Sequence, residues 1–279
     1  MKMVCLRQAA QVFVVTGLVV GVCATSSTTA SAMENSRVGS SRHIASTLSP
    51  QLVLRGSAQE LPGNIVQLTD DLGQAGAAWS AQPVSVLGGL SATFRFRILP
   101  DPDCCADGFA FVIQNDKRGT KALAGGGGEE GFAQDTPVGI HPPPAQRGIK
   151  NGVAVEFDTF YNACWSSPCR PGSVSDPFDE HISVLARTLN RRLSADEKFS
   201  LGLTTSIPDL TTGAEHAVEI IYRPGTLTIA LDQSSVLTVP LNLPKKMILP
   251  NGTAYVGFTG STGGYAQTPQ IRDFSVTSS

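Results

Sequence analysis

Glu156 and Asp158 stand two residues apart in the stretch Val153-Ala154-Val155-Glu156-Phe157-Asp158-Thr159. Side chains alternate sides along a strand, so both carboxylates share one face. Two carboxylates in an apolar strand repel each other and are costly to bury unpaired; a proton or a cation between them relieves both problems. Asn162 follows, and after thirteen more residues comes Asp176-Pro177-Phe178-Asp179-Glu180-His181. Carboxylate and amide oxygens are hard ligands that suit Ca2+, and an imidazole added to them suits Mn2+ or another transition ion. On spacing alone three other assignments compete: ion pairs with Arg95 or Arg97, a catalytic dyad of the glycosidase kind, and a solvated face. A second candidate is the run Gly125 to Gly128 followed by Glu129 and Glu130. It does not suit phosphate, because no Lys-Ser/Thr pair follows and the two glutamates would repel an anion. It reads either as a plain loop or as one whose backbone comes close to a ligand.

These residues need a scaffold, and the pattern around them is one of short β runs separated by turn clusters. Candidate strands are Leu52 to Leu54, Ile65 to Leu68, Leu90 to Leu99, Gly108 to Gln114, Val153 to Thr159 and His181 to Ala186, then Ala217 to Tyr222, Leu227 to Leu231, Ala254 to Thr259 and Ile271 to Val276. In the third of these, Ala92, Phe94 and Phe96 fall on one side and Thr93, Arg95 and Arg97 on the other. Ser194 to Phe199 offers one turn of helix. Strands without intervening helices imply an all-β sandwich or barrel. The 279 residues suit one large all-β domain; Lys plus Arg number 21 and Asp plus Glu 23, for a net charge of -2. That balance argues against nucleic acid as a partner, since phosphate neutralisation needs a basic surface. His43, His141 and His216 have no evident partner and read as surface histidines.

Lys2 and Arg7 precede an apolar run from Val12 to Ala24, and Ala30-Ser31-Ala32 offers a small-x-small cleavage site. Residues 1–32 therefore read as a secretory signal peptide and 33–50, rich in Ser and small residues, as a flexible leader. No later segment has the length of a membrane span, and the chain ends at Ser279 directly after a strand-like stretch, so the mature protein is expected to be secreted and soluble. Cys104, Cys105, Cys164 and Cys169 would remain. An even count in an exported chain favours disulfides over a zinc site, for which the adjacent Cys104-Cys105 pair has the wrong spacing.

Val153 to Asn162, followed by Trp165, resembles the signature strand and loop of the legume-type lectins. Further segments agree in order. Leu54 to Ala58 fits near the start, and Ala106-Asp107-Gly108-Phe109-Ala110-Phe111 resembles the first sugar-binding loop. Gly128-Glu129-Glu130-Gly131-Phe132 resembles the glycine-rich second loop. Asp176-Pro177 with His181 and Ile182 resembles the end of the metal loop. Val256 to Gly263 and Ile271 to Val276 resemble the last two strands and the loop between them. The resemblance covers residues 51–279. It implies a jelly-roll β-sandwich of two large antiparallel sheets that binds glycans or glycoproteins without catalysis. A flat back sheet would be the surface for any homo-oligomer. The resemblance also implies Ca2+ beside Mn2+ or another transition ion. Glu156 and His181 would ligate the transition ion and Asp158 and Asp176 would bridge the two. Asn162 and the carbonyl of Phe160 would ligate Ca2+. For the sugar, it implies Asp107 accepting from hydroxyls, Asn162 and the N–H of Gly128 donating, the ring of Phe160 stacking, and a cis peptide before Asp107.

The sequence departs from the pattern in three places. The metal loop holds thirteen residues between Asn162 and Asp176, including Cys164 and Cys169. In the family this loop lies beside the first sugar loop, so cross-loop disulfides to Cys104 and Cys105 are expected. The rival pairing joins Cys164 to Cys169 and Cys104 to Cys105. A second insertion, Ala133 to Arg147, carries Pro142-Pro143-Pro144 and is expected at the surface. Glu129 and Glu130 either select against anionic sugars or are merely solvated. Asp179 competes with Asp176 as the ligand, though Asp176 fits the family spacing better. A hydrolase on the same sandwich would carry Glu-x-Asp-x-x-Glu on this strand, and Tyr161 stands at the third position. An adhesive or structural protein with the same fold is the other alternative.

Overall fold

Long, alternating or fully apolar runs demand two surfaces to bury against, and the computed structural model supplies them as two packed antiparallel sheets. It describes residues 46–100, 105–133, 147–162 and 176–279. The strands in chain order are β1 (Ser46–Leu48), β2 (Leu52–Gly56), β3 (Gln59–Leu61), β4 (Ile65–Gln67), β5 (Ala75–Ser80), β6 (Val84–Ser85), β7 (Leu90–Leu99) and β8 (Gly108–Gln114). They continue as β9 (Gly152–Asp158), β10 (His181–Ala186), β11 (Ser200–Thr204), β12 (His216–Arg223), β13 (Gly225–Leu231), β14 (Ser234–Leu241), β15 (Thr253–Ser261) and β16 (Thr268–Ser278). The back sheet runs β14-β13-β12-β7-β16-β4-β3, with β1 also on β16. The front sheet runs β11-β10-β9-β8-β15-β5-β2, with β6 also on β15.

The two sheets differ in how they are covered. In β7, burial alternates, with Ala92, Phe94 and Phe96 inward, as the pattern predicts. In the front sheet β8, β9 and β10 are buried at every position. Their inner face carries Phe109, Phe111, Val155 and Phe157 into the core between the sheets. Their outer face carries Ala110, Val112, Ala154 and Leu185 under the loops that bring Phe132, Ile149 and Leu193. Burial on both faces explains why these strands are apolar runs and why the few acids on them stand out.

The core is knit by phenylalanines. Phe94 lies 4.8 Å from Phe258 edge-on and 6.2 Å from Phe111, and Phe109 stacks on Phe157 at 4.7 Å. Phe94 is 2% exposed. Phe94→Ala is therefore expected to cost about 3–5 kcal/mol of stability, read as a lower urea midpoint with an unchanged slope.

Four expectations change. The first strand begins at Ser46, inside the segment assigned to a leader, and pairs with the last strand (Ser46 opposite Ser278). The helical turn shrinks to a 3-10 turn, Glu197–Phe199, capped by Asp196. His216 is buried, with its Nδ1 2.7 Å from Asp232 Oδ2. Arg95 and Arg97 lie on the outer face of the back sheet, where Arg95 pairs with Glu215 at 3.1 Å and Arg97 donates to Gln270 at 2.9 Å. Neither serves Glu156 or Asp158. Among the described residues no helix is long and apolar enough to cross a membrane.

Candidate metal and carbohydrate site

The front sheet positions the acids by register. Glu156 pairs across β10 with Ser183, and Asp158 with His181. Antiparallel partners share a face, so Glu156, Asp158, Ser183 and His181 form one patch on the outer side. Ligand atoms of Glu156, Asp158 and His181 lie within 4.8 Å of one another. Ser183 Oγ donates to Glu156 Oε2 at 3.0 Å. Phe160 N–H donates to Asp158 Oδ1 at 2.7 Å. All three residues are buried, His181 completely.

Asp176 joins them from the far side of the enlarged loop. Asn162 N–H donates to Asp176 Oδ2 at 2.9 Å, and Asp176 N–H returns to the Asn162 carbonyl at 3.2 Å, so the two residues clasp the ends of the 163–175 segment. Asp176 is buried, whereas Asp179 is exposed. Asn162 Nδ2 donates to the Phe160 carbonyl at 3.3 Å.

Burial, with the neighbouring carboxylates adding to it, raises Glu156 and Asp158 well above the usual carboxylate range. Burial lifts Asp176 to about 7, against the hydrogen bonds from Asn162 and the charge of His181. Such a set is short of positive charge. Asp176 Oδ1 and His181 Nδ1 are buried without a hydrogen-bond partner. Hard oxygens plus one imidazole, with orphaned donor atoms among them, fit divalent cations.

Glu197 belongs to the same cluster and was not foreseen. Its Oε1 lies 3.1 Å from His181 Nε2. Burial opposes its ionisation, but hydrogen bonds from His181 and Ser183 prevail and lower its pKa. A carboxylate on one ring nitrogen fixes the tautomer and orientation of a ligating histidine.

The residues of the expected sugar loops lie beside this cluster. The Ala106–Asp107 peptide is cis, as the resemblance implies. Asp107 is tied down by its backbone: its N–H donates to the Ser261 carbonyl (3.2 Å) and its carbonyl accepts from Thr159 N–H (3.0 Å). One oxygen of its side chain, Oδ2, is buried and without a hydrogen-bond partner. Burial raises this carboxyl to about 6, against the hydrogen bond from the Asn162 side chain. Gly127 N–H donates to the Thr262 carbonyl at 3.1 Å, and Ser261 Oγ donates to the Gly127 carbonyl at 2.7 Å. These bonds place Gly128 where a methyl group would lie 2.7–2.8 Å from the Asn162 side chain. The half-buried Phe160 ring lies 5.5 Å from that of Tyr265, which is 45% exposed. Asp107, Gly128, Phe160 and Asn162 thus lie next to one another.

Glu129 and Glu130 do not face solvent. Both are buried, Glu130 at 1% exposure. The Gly127–Glu129 turn ends with Glu130 in the left-handed region (φ 45°), which turns its side chain inward. Of the cysteines, Cys105 is half-buried; Cys104, Cys164, Cys169 and most of the 133–147 insertion lie outside the described residues.

The sequence model of the legume lectin domain matches residues 44–279. The chain belongs to the legume lectin family. Agglutinin-2 of Cladrastis kentukea is 26% identical over 243 residues, covering 81% of this legume lectin chain and 76% of the relative. Among solved structures, the Bauhinia forficata lectin in complex with GalNAc superposes with a TM-score of 0.61 at 22% identity, covering 84% of this chain and 98% of that one. The Ca2+/Man-bound exoplasmic domain of VIP36 gives a TM-score of 0.57 at 16% identity, covering 81% of each chain. These neighbours share the lectin β-sandwich described above.

Proposed function

We propose that this legume lectin domain is a secreted, metal-dependent protein that binds neutral glycans without catalysis. The observation that carries the reading is the convergence of Asp107, Gly128, Phe160 and Asn162, from three separate loops, near the Glu156–Asp158–His181 cluster. A neutral sugar presents hydroxyls and an apolar C–H face. One carboxylate acceptor, one amide donor, one backbone N–H and one aromatic plane match those features. The unpartnered Oδ2 of Asp107 accepts from hydroxyls. Glu156 and His181 would hold a transition ion such as Mn2+, Asp158 and Asp176 would serve both that ion and Ca2+, and Asn162 with the Phe160 carbonyl would serve Ca2+. The ions supply positive charge that offsets the clustered carboxylates and keeps Asn162 and Asp176 in place. Tyr161, exposed where a hydrolase would need its third acid, and the lectin relatives support binding rather than bond cleavage. The apolar N-terminal run with its small-x-small site supports export, with residues 1–32 removed.

A glycan array probed with the metal-loaded protein, then repeated after chelation, tests this reading. Binding to uncharged glycans that disappears with chelator is the expected result. Absence of binding in both states, or release of reducing sugar from glucans, would overturn it.

A further inference from the structure

The glycine loop delivers a carboxylate to a place that the ligand set above leaves unused. Two rows of side chains cross the outer face of the front sheet. Thr259, Ala110, Glu156 and Ser183 are successive cross-strand partners in one row; Ser261, Gly108, Asp158 and His181 are in the next. The small Ala110 and Gly108 leave a notch one strand wide, about 4.8 Å per strand spacing, between the hydroxyls of β15 and the carboxylates of β9. Glu130 enters that notch from the loop above. Its Oε1 lies so close over Gly108 that a methyl group there would collide with it and would also lie 2.6 Å from the Phe157 carbonyl. Both carboxyl oxygens of Glu130 are buried without a hydrogen-bond partner, and so is Thr259 Oγ1 on the opposite wall. The charges that bear most strongly on Glu130 are Glu156 and then Asp158, ahead of Asp107 and Asp176. A buried carboxylate with no hydrogen-bond partner, whose strongest charged neighbours are themselves carboxylates, is intelligible if a cation completes the group.

We propose that Glu130 is a further ligand of the cation held by Glu156 and Asp158, tying the glycine loop directly to the metal centre. The proposal rests on the metal reading of that cluster. Its consequence is mechanical. Glu130 is two residues from Gly128 and closes the same 3-10 turn, so the cation anchors the N–H that faces the sugar hydroxyl. Metal occupancy and the shape of the sugar loop then rise and fall together.

Metal binding by the purified full chain reads this without reference to glycans. Chelator-stripped wild type, Glu130→Gln, Glu130→Leu and Asp158→Asn are titrated with Mn2+ and with Ca2+ by calorimetry, and bound metal is counted by mass spectrometry. Both Glu130 variants should bind one of the cations at least tenfold more weakly, and Asp158→Asn should lose it. Metal-free Glu130→Leu should melt above metal-free wild type, because an unpaired buried carboxyl has gone, which also shows the fold intact. If both Glu130 variants keep wild-type affinity and stoichiometry while Asp158→Asn loses them, the proposal fails and the metal reading stands. Wild type that takes up no cation overturns both.

Discussion

Chelation at pH 8 is expected to lower the melting temperature sharply, and acidifying the chelated protein to pH 5 is expected to restore much of the loss. The cause is the carboxylate cluster. In the metal-free protein burial holds Asp107 at about 6 and Asp176 at about 7, each above the ordinary aspartate value of 3.8. Where the folded pKa exceeds the unfolded one, the native state binds more protons between the two values, so stability falls as pH rises through that window. For these groups the window runs from about pH 4 to about pH 7. Between pH 8 and pH 5 only the part of the Asp107 window above pH 5 is crossed, about one pH unit, which corresponds to roughly 1.4 kcal/mol, or about 3–6 °C for a domain of this size. Glu180, raised to about 7 by burial, shifts stability in the same direction. Glu197, whose pKa is lowered, remains ionised at pH 5 and does not cancel the gain. In the loaded protein the sign reverses, because protons compete with the cation for the same oxygens. Differential scanning fluorimetry at pH 5 and pH 8, with and without chelator, measures all four states. A chelated protein that is at least as stable at pH 8 as at pH 5 would contradict the cluster's electrostatics.

Much of this architecture is legible in the sequence, and the parts that are not share physical causes. β7, β8 and β10 begin and end where their patterns do, because one face of β7 and both faces of the others must be buried. β5 escapes notice since Ala-Gly-Ala-Ala-Trp-Ser has low strand propensity. Its small residues answer a tertiary need: a methyl group on Gly76 would collide with the Leu68 carbonyl. β14 and β11 lie at sheet edges, where Pro240 and Gly202 are tolerated and alternation is weak. Glu156 and Asp158 are conspicuous as acids inside an apolar strand. Asp107 carries no such local signal and becomes a candidate only through resemblance; Gly128 is marked locally only as part of a glycine run whose backbone could approach a ligand. Glu130 and Glu197 are the instructive cases. A Glu-Glu pair after four glycines, or a Glu in Asp-Glu-Lys, has the composition of a solvated turn, and only the packing of a loop onto the front sheet buries it. A polar row is visible in the register of four strands at once, not along any one of them.

Gly128→Ala is expected to weaken glycan binding by roughly 30- to 150-fold while leaving the fold intact. Gly128 does not occupy the left-handed region, so its backbone accepts a side chain without strain. The obstacle is the space it would enter. The added methyl would lie 2.7 Å from Asn162 Nδ2 and 2.8 Å from both Cγ and Oδ1, closer than nonbonded atoms tolerate. Asn162 cannot retreat cheaply, because its backbone is clasped to Asp176 and its amide donates to the Phe160 carbonyl. The amide must therefore turn away or the glycine loop must lift. Either movement removes at least one hydrogen bond to the sugar, and the methyl occupies the approach to the Gly128 N–H. Two unmade bonds at about 1–1.5 kcal/mol each correspond to a loss of roughly 30- to 150-fold. Gly264→Ala is the matching control: no atom lies within 4 Å of the added methyl, and binding should stay within a factor of about two. Titration of both variants with the best glycan from the array, beside their melting curves, separates the outcomes. Unchanged affinity in Gly128→Ala would mean that sugar does not bind against this loop. A melting temperature lowered by more than about 5 °C would locate the damage in the fold instead of the site.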